Sequence, residues 1–299
     1  MKRRFFTLDV FTQKKFAGNP LAVVLEPAGL ETDAMQAIAR EFNYPETVFV
    51  FPPADARRRA AIRIFNPAAE MPFAGHPTVG TAVLLALLDG GSAGEFILEE
   101  KIGSVPCRFE SMTADTGYVR FTAPSLPAAA TGDLPGKTEI AAALSLAPDD
   151  IGFPGAVPSR WASGITFSFV PLKDLDAAAR AHPNPVSFEK VFGIGGSAKV
   201  YVFCKETAVA GHDFHVRMFA PGVGIPEDPA TGSAAVGFAG LLAASGRYGD
   251  GEHNVRIEQG YEMKRESLVD LGLTISGGHL TLATVGGSAV VVTEGTIAA

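Results

Sequence analysis

The chain's hydrophobic pattern breaks into short alternating stretches and two long apolar runs. Residues 63–65 and 215–219 alternate apolar with polar side chains, as half-buried strands do, and Pro67 and Pro221 end them. A loop rich in proline and glycine follows each. Then come runs of Ala, Leu and Val at about 78–88 and 234–245, neither with a charged face. A helix that is apolar all round is a buried one. Residues 32–42 differ: Met35, Ile38, Ala39 and Phe42 share one helical face, with Thr32 and Asp33 at the start. Further strands are expected at 5–10, 21–25, 47–51, 96–100, 105–110 and 117–121. A second series is expected at 165–171, 199–204, 254–258, 267–275, 279–284 and 288–293. Many strands with few helices exclude a doubly wound parallel sheet. They predict an α+β protein in which each half wraps a sheet around one central helix.

The two halves repeat each other. Glu70-Met71-Pro72-Phe73-Ala74-Gly75 aligns with Glu227-Asp228-Pro229-Ala230-Thr231-Gly232, both E-x-P-x-x-G, and His76 meets Ser233. The alignment continues without a gap through Val79/Val236, Gly80/Gly237 and Ala82/Ala239 to Leu84-Leu85-Ala86 over Leu241-Leu242-Ala243. Upstream, after a three-residue insertion, Arg63, Phe65 and Pro67 match Arg217, Phe219 and Pro221. An ordered series of this kind marks a duplicated structural unit. It predicts that 63–86 and 217–243 share one local fold. Residues 1–123 would then form the first half and 124–299 the second, with a C-terminal strand at about 286–299 packing back onto the first. Residues 124–136, rich in Ala, Pro and Gly, form the expected linker.

Composition narrows the function. With 299 residues, 47% of them hydrophobic, the chain can fill two cores. A diffuse net charge of −7 argues against nucleic acid as partner, and the only basic cluster at the start of the chain is Lys2, Arg3 and Arg4. The longest apolar run, residues 79–88, is far short of the roughly 20 needed to span a membrane. The start has no signal-peptide pattern, because Thr7 and Asp9 interrupt its apolar stretch. Cys107 and Cys204 stand far apart, so reduced thiols and a cytoplasmic location are expected.

Several motifs then name a family. They are Asp9-Val10-Phe11-Thr12 with Phe16-Ala17-Gly18-Asn19-Pro20-Leu21-Ala22-Val23, Pro45-Glu46-Thr47, Phe73-Ala74-Gly75-His76-Pro77, Glu227-Asp228-Pro229-Ala230-Thr231-Gly232-Ser233 and Glu258-Gln259-Gly260. In this order, nearly end to end, the chain resembles the PhzF-like family of phenazine biosynthesis. The resemblance implies the diaminopimelate epimerase-like fold: two pseudo-symmetric domains, each a β-barrel-like sheet around a helix. It also implies a cofactor-independent isomerase of a small carboxylic acid. Diaminopimelate epimerase carries a cysteine on each side of its site, where this chain has Ala74 and Thr231, so two-thiol chemistry is excluded. The resemblance makes Glu46 the acid/base and places the active-site His, Asp and Ser on His76, Asp228 and Ser233. Relatives often read E-M-G-R after the Gln-Gly, where this chain has Glu262-Met263-Lys264-Arg265.

The residues themselves bear on that chemistry. A carboxylate can move a proton from carbon when burial or a neighbouring carboxylate raises its pKa. Glu46, between an amphipathic helix and the apolar run 47–51, is placed for that, although a solvated turn carboxylate is the plainer alternative. His76 is read as a proton donor or acceptor near neutral pH. Asp228 precedes a buried helix, where a capping role is the competing reading. Gly75, Gly232 and Ser233 open helices whose N–H groups and dipole ends suit a carboxylate, and these three are the expected substrate-binding residues. Glu70 and Glu227 are expected to brace their own loops.

Other signals are set aside. Gly222-Val223-Gly224 lacks the following helix of a dinucleotide fingerprint, and no lysine stands in a pyridoxal-type context. His212 and His215, at i and i+3 of one strand, would face opposite ways, so no metal is expected. Trp161 is read as a packing residue. The expected partner is a small carboxylate-bearing substrate, without nucleic acid or membrane, and the reading allows a homodimer. An amino-acid epimerase on the same fold and a catalytically silent small-acid binder are the competing functions.

Overall fold

The structure, a computed structural model, describes residues 1–90, 94–194 and 197–299. It divides into two compact units, Met1–Pro124 with Val285–Ala299, and Ser125–Thr284. The first unit contains β1 (Lys2–Val10), β2 (Asn19–Leu25), α1 (Thr32–Phe42), β3 (Glu46–Phe51), β4 (Ala60–Phe65), β5 (Glu70–Met71), α2 (Gly75–Leu88), β6 (Gly94–Glu100), β7 (Gly103–Met112) and β8 (Thr116–Thr122). The second contains β9 (Ala128–Ala129), α3 (Lys137–Ala143), β10 (Ser159–Ser163), β11 (Ile165–Pro171), α4 (Leu175–Arg180), α5 (Phe188–Phe192), β12 (Val200–Cys204), β13 (Phe214–Ala220), β14 (Ile225–Asp228), α6 (Gly232–Ala244), β15 (Gly251–Gln259) and β16 (Ser267–Ser276). The last strand, β17 (His279–Ala298), starts in the second unit, and its residues from Val285 belong to the first.

In the first unit β1 pairs antiparallel with β2, which runs parallel to β3. Strand β4 is antiparallel to β3 and parallel to β6, and β6, β7 and β8 form a meander. Strand β17 pairs with both β8 and β1, closing an eight-stranded barrel. Closure leaves none of these strands with an unpaired edge. The second unit repeats the pairings in order and sense. Strand β10 is antiparallel to β11, β11 parallel to β12, β12 antiparallel to β13, β13 parallel to β15, and β15 antiparallel to β16. The short strands β5 and β14 pair antiparallel with β4 and β13.

Each unit packs one long, largely buried helix against its sheet. Helix α2 touches β1, β2, β3, β7 and β8, and α6 touches β9, β10, β11 and β16. Residues Gly75 to Ala86 of α2 are buried without exception. Close approach is met by glycine: a Cβ on Gly80 would lie 2.6 Å from Leu21 Cδ2, and one on its repeat partner Gly237 would lie 2.9 Å from Phe169 Cζ. The amphipathic α1 covers the first barrel from outside, where Met35, Ile38 and Ala39 pack with Val24, Phe49 and Phe65. In the second unit α3, α4 and α5 bury a larger cluster around Ile140, Ala177 and Phe188.

The duplication extends to side chains. Arg63 Nε and Nη2 donate to Glu70 Oε1 and Oε2 at 2.8 and 3.0 Å. Arg217 makes the same fork to Glu227 at 2.8 and 2.9 Å. Each guanidinium also lies over the phenylalanine two residues on, at 5.1 Å for Phe65 and 4.8 Å for Phe219. Both glutamates brace their own loops. One expected break is absent: 279–284 and 288–293 are a single strand. Gly286 does not interrupt it but makes room for Tyr118, whose hydroxyl a Cβ there would meet at 2.5 Å.

Candidate active site

In the first unit Glu46 opens β3, held beside Leu21 by the parallel pairing of β2 and β3. Only 7% of Glu46 is exposed, so it is not a solvated turn residue. His76 lies in the first turn of α2, 5% exposed, and its Nε2 stands 3.2 Å from Glu46 Oε2. Burial drives the His76 pKa down to about 3, and its hydrogen bond to the Pro20 backbone only partly opposes this. The imidazole is therefore neutral at physiological pH. Enclosure in the barrel outweighs the ordinary value of the ring. No side chain caps α2. Its first turn begins at Gly75, whose N–H is among those a helix cannot satisfy internally.

In the second unit Asp228 ends β14 and is 7% exposed. It does not cap α6, which has no side-chain cap. Its Oδ2 accepts instead from the Thr231 hydroxyl at 2.6 Å. Gln259 locks this turn. It accepts from Thr231 N at 3.1 Å and donates to the Asp228 carbonyl at 2.7 Å and to Thr231 Oγ1 at 3.0 Å. Gly232 and Ser233 begin α6 directly after it. Gln259 belongs to a motif legible in the sequence, but its bracing role is visible only once β15 is placed beside β13.

Behind this turn lies a buried charge cluster. His212 Nδ1 and His215 Nδ1 both reach the fully buried Glu258, at 2.6 and 2.7 Å, and His215 Nε2 reaches Glu262 at 3.0 Å. The two histidines do not face opposite ways as their spacing suggested, because His212 precedes β13 and lies in the loop before it. Burial lowers the His215 pKa, but Glu258 and Glu262 outweigh it and raise it to about 9, so the ring is charged at neutral pH. Among the described residues no group of three or more His, Cys, Asp or Glu is arranged to hold a metal. Lys264 has a simple backbone reading: it is exposed, with φ 56°, the left-handed region in which glycine is easiest.

Glu100 is a buried acid that the sequence did not single out. Strand pairing sets Ala61 opposite Glu99 and His215 opposite Glu258, so Glu100 takes the place in the first unit that Gln259 takes in the second. Its Oε1 lies 2.8 Å from Thr78 Oγ1, which lies equally close to the Ala74 carbonyl. One hydroxyl proton cannot serve two acceptors, so a protonated Glu100 donating to Thr78 satisfies both contacts. Burial raises the Glu100 pKa to about 8, against the Thr78 bond. The folded state thus holds a proton that the unfolded chain releases. The associated stability is full below about pH 4.5 and is lost as pH rises through about 8. Glu100→Gln mimics the protonated acid. Its stability relative to the native chain should rise across that window, by at most roughly 1.4 kcal/mol per pH unit. Urea denaturation across the window measures this, and parallel pH curves for the two proteins would contradict it.

Comparison with known proteins agrees with this geometry. The phenazine biosynthesis-like protein family matches residues 8–295. An uncharacterised isomerase of Mesorhizobium japonicum is 46% identical over 98% of both chains. The trans-2,3-dihydro-3-hydroxyanthranilate isomerase of Pseudomonas fluorescens is 33% identical, again over 98% of both. The crystal structure of a Bacillus anthracis phenazine biosynthesis protein of the PhzF family superposes with a TM-score of 0.87 at 27% identity over the whole of both chains. With the duplicated barrel-and-helix architecture, this places the chain on the diaminopimelate epimerase-like fold, as a member of the phenazine biosynthesis-like (PhzF) family.

Proposed function

We propose that the chain is a cofactor-independent isomerase of a small carboxylic acid, with Glu46 as the group that moves the proton. The observation that carries this reading is the buried Glu46 carboxylate 3.2 Å from the neutral His76 ring. Glu46 takes a proton from one substrate carbon, becoming a carboxylic acid, and returns it to another. A neutral imidazole orients substrate by hydrogen bonding without adding a charge to compete with the carboxylate. Asp228 receives the same orienting role, its position fixed by Thr231 and Gln259. Gly75, Gly232 and Ser233 are assigned to holding the substrate carboxylate through the helix N–H groups, which also stabilise enolate-like charge as the proton leaves. The names of the relatives support an isomerase, and the absence of cysteine at positions 74 and 231 supports carboxylate chemistry over a thiol pair.

The test is a panel of small unsaturated and amino carboxylic acids, including trans-2,3-dihydro-3-hydroxyanthranilate, with products followed by NMR. An isomerase moves a double bond, an epimerase inverts a centre without moving one, and a binder changes nothing. A panel member whose double bond shifts supports the reading; inversion alone, or binding without conversion, contradicts it.

A further inference from the structure

We propose that the second unit carries a separate binding pocket for a small amphipathic carboxylate, at the end of α6 away from Gly232. The cavity measures about 390 Å³ and is lined by Phe153, Trp161, Phe203, Phe214 and Leu241, with Lys205 and Arg247 at its edge. That volume lies within the range of small-molecule sites, roughly 300–1,000 Å³. Leu242, in its wall, is ten residues beyond Gly232, which is about 15 Å along the helix. The pocket is thus distinct from the turn that holds Asp228.

The walls are aromatic and mutually packed. Phe153 and Phe203 meet edge to face at 5.7 Å, and Phe203 and Phe214 at 6.0 Å. The two cations lie against these rings: Lys205 Nζ is 4.7 Å from the Phe153 centroid and Arg247 Cζ is 5.7 Å from that of Phe214. Both are exposed, and among the described residues neither forms an ion pair with a carboxylate. In a chain with 32 acidic and 25 basic residues, two unpaired cations beside an apolar cavity call for an anion from outside. The competing explanation is that they complement the carbonyl end of α6. Those carbonyls already have donors: Leu241 and Leu242 accept from Ser245 N, Leu242 from Ser245 Oγ, and Ala243 from Gly246 N. A helix end carries only about half a charge, less than the two cations supply. An apolar body in the aromatic box with its carboxylate on Lys205 and Arg247 satisfies both features at once.

Trp161 is the chain's sole tryptophan, so its fluorescence reports on this pocket alone. The native protein is titrated with octanoate, octanol and octylammonium. Octanoate should shift the emission saturably and bind about tenfold or more tighter than octanol, a difference near 1.4 kcal/mol. The double variant K205E/R247E, altered only at exposed positions, should lose about tenfold or more in octanoate affinity and gain affinity for octylammonium. Equal binding of octanol and octanoate, or unchanged octanoate binding by the variant, would overturn the proposal. So would an emission that responds to protein concentration and not to octanoate, which would mark this face as a contact between two copies.

Discussion

Replacing Glu46 by Gln is expected to lower turnover by about 10²–10⁴-fold, the usual contribution of a positioned general acid/base, while substrate or an analogue still binds. The amide keeps the shape of the side chain beside His76 and removes its basicity. His76→Ala and Asp228→Ala should behave differently, weakening binding together with rate, because both are assigned to orienting the substrate. Steady-state kinetics with calorimetric binding separates the two patterns. A Glu46→Gln protein of near-native turnover would remove Glu46 from the mechanism.

The second large effect concerns the repeated arginine forks. Arg217 and Arg63 are repeat partners with the same bidentate bond, but their surroundings differ. The Arg217 side chain is 8% exposed and also donates to the carbonyls of Ala178, Ala179 and Ala181 at 2.7, 3.2 and 2.7 Å. The Arg63 side chain is 31% exposed. Removing one partner of a buried pair leaves the other charge uncompensated, at about 3–5 kcal/mol, whereas exposed pairs contribute about 0–1 kcal/mol. Arg217→Ala should therefore cost about 3–5 kcal/mol and Arg63→Ala about 1 kcal/mol. Denaturant titration of both variants reads the difference, and equal losses would show that the fork itself, not burial, sets the cost.

Much of this molecule is legible in its sequence because the duplication makes each half a check on the other. Helix α1 runs from Thr32 to Phe42 as its apolar periodicity predicts. Helices α2 and α6 start two to three residues before their apolar runs, because Gly75, His76 and Pro77, and Gly232 and Ser233, interrupt the hydrophobic pattern but not the backbone. The short elements β9, α3, α4 and α5 escape detection, being too brief to show a period. The site divides along the same line. Glu46, His76 and Asp228 stand in motifs that sequence alone brings forward. Gln259 and Glu100 act through register, which depends on strands far apart in the chain, and Glu100 emerges only when the repeat is extended from the helices to β6 and β15. His212 shows the limit of periodicity: its side chain joins that of His215 because a loop, not a strand, carries it.

The proposed role of the carboxylate at position 46 is to carry a proton to and from carbon. It is tested most directly by incubating a substrate from the carboxylic-acid panel in deuterated water with the native protein and with Glu46→Gln. Carbon-bound deuterium is then counted by mass spectrometry. Deuterium is expected in substrate or product with the native protein, with incorporation reduced by about 10²-fold or more in the variant. Equal incorporation by both proteins would place the proton carrier elsewhere and remove Glu46 from that role.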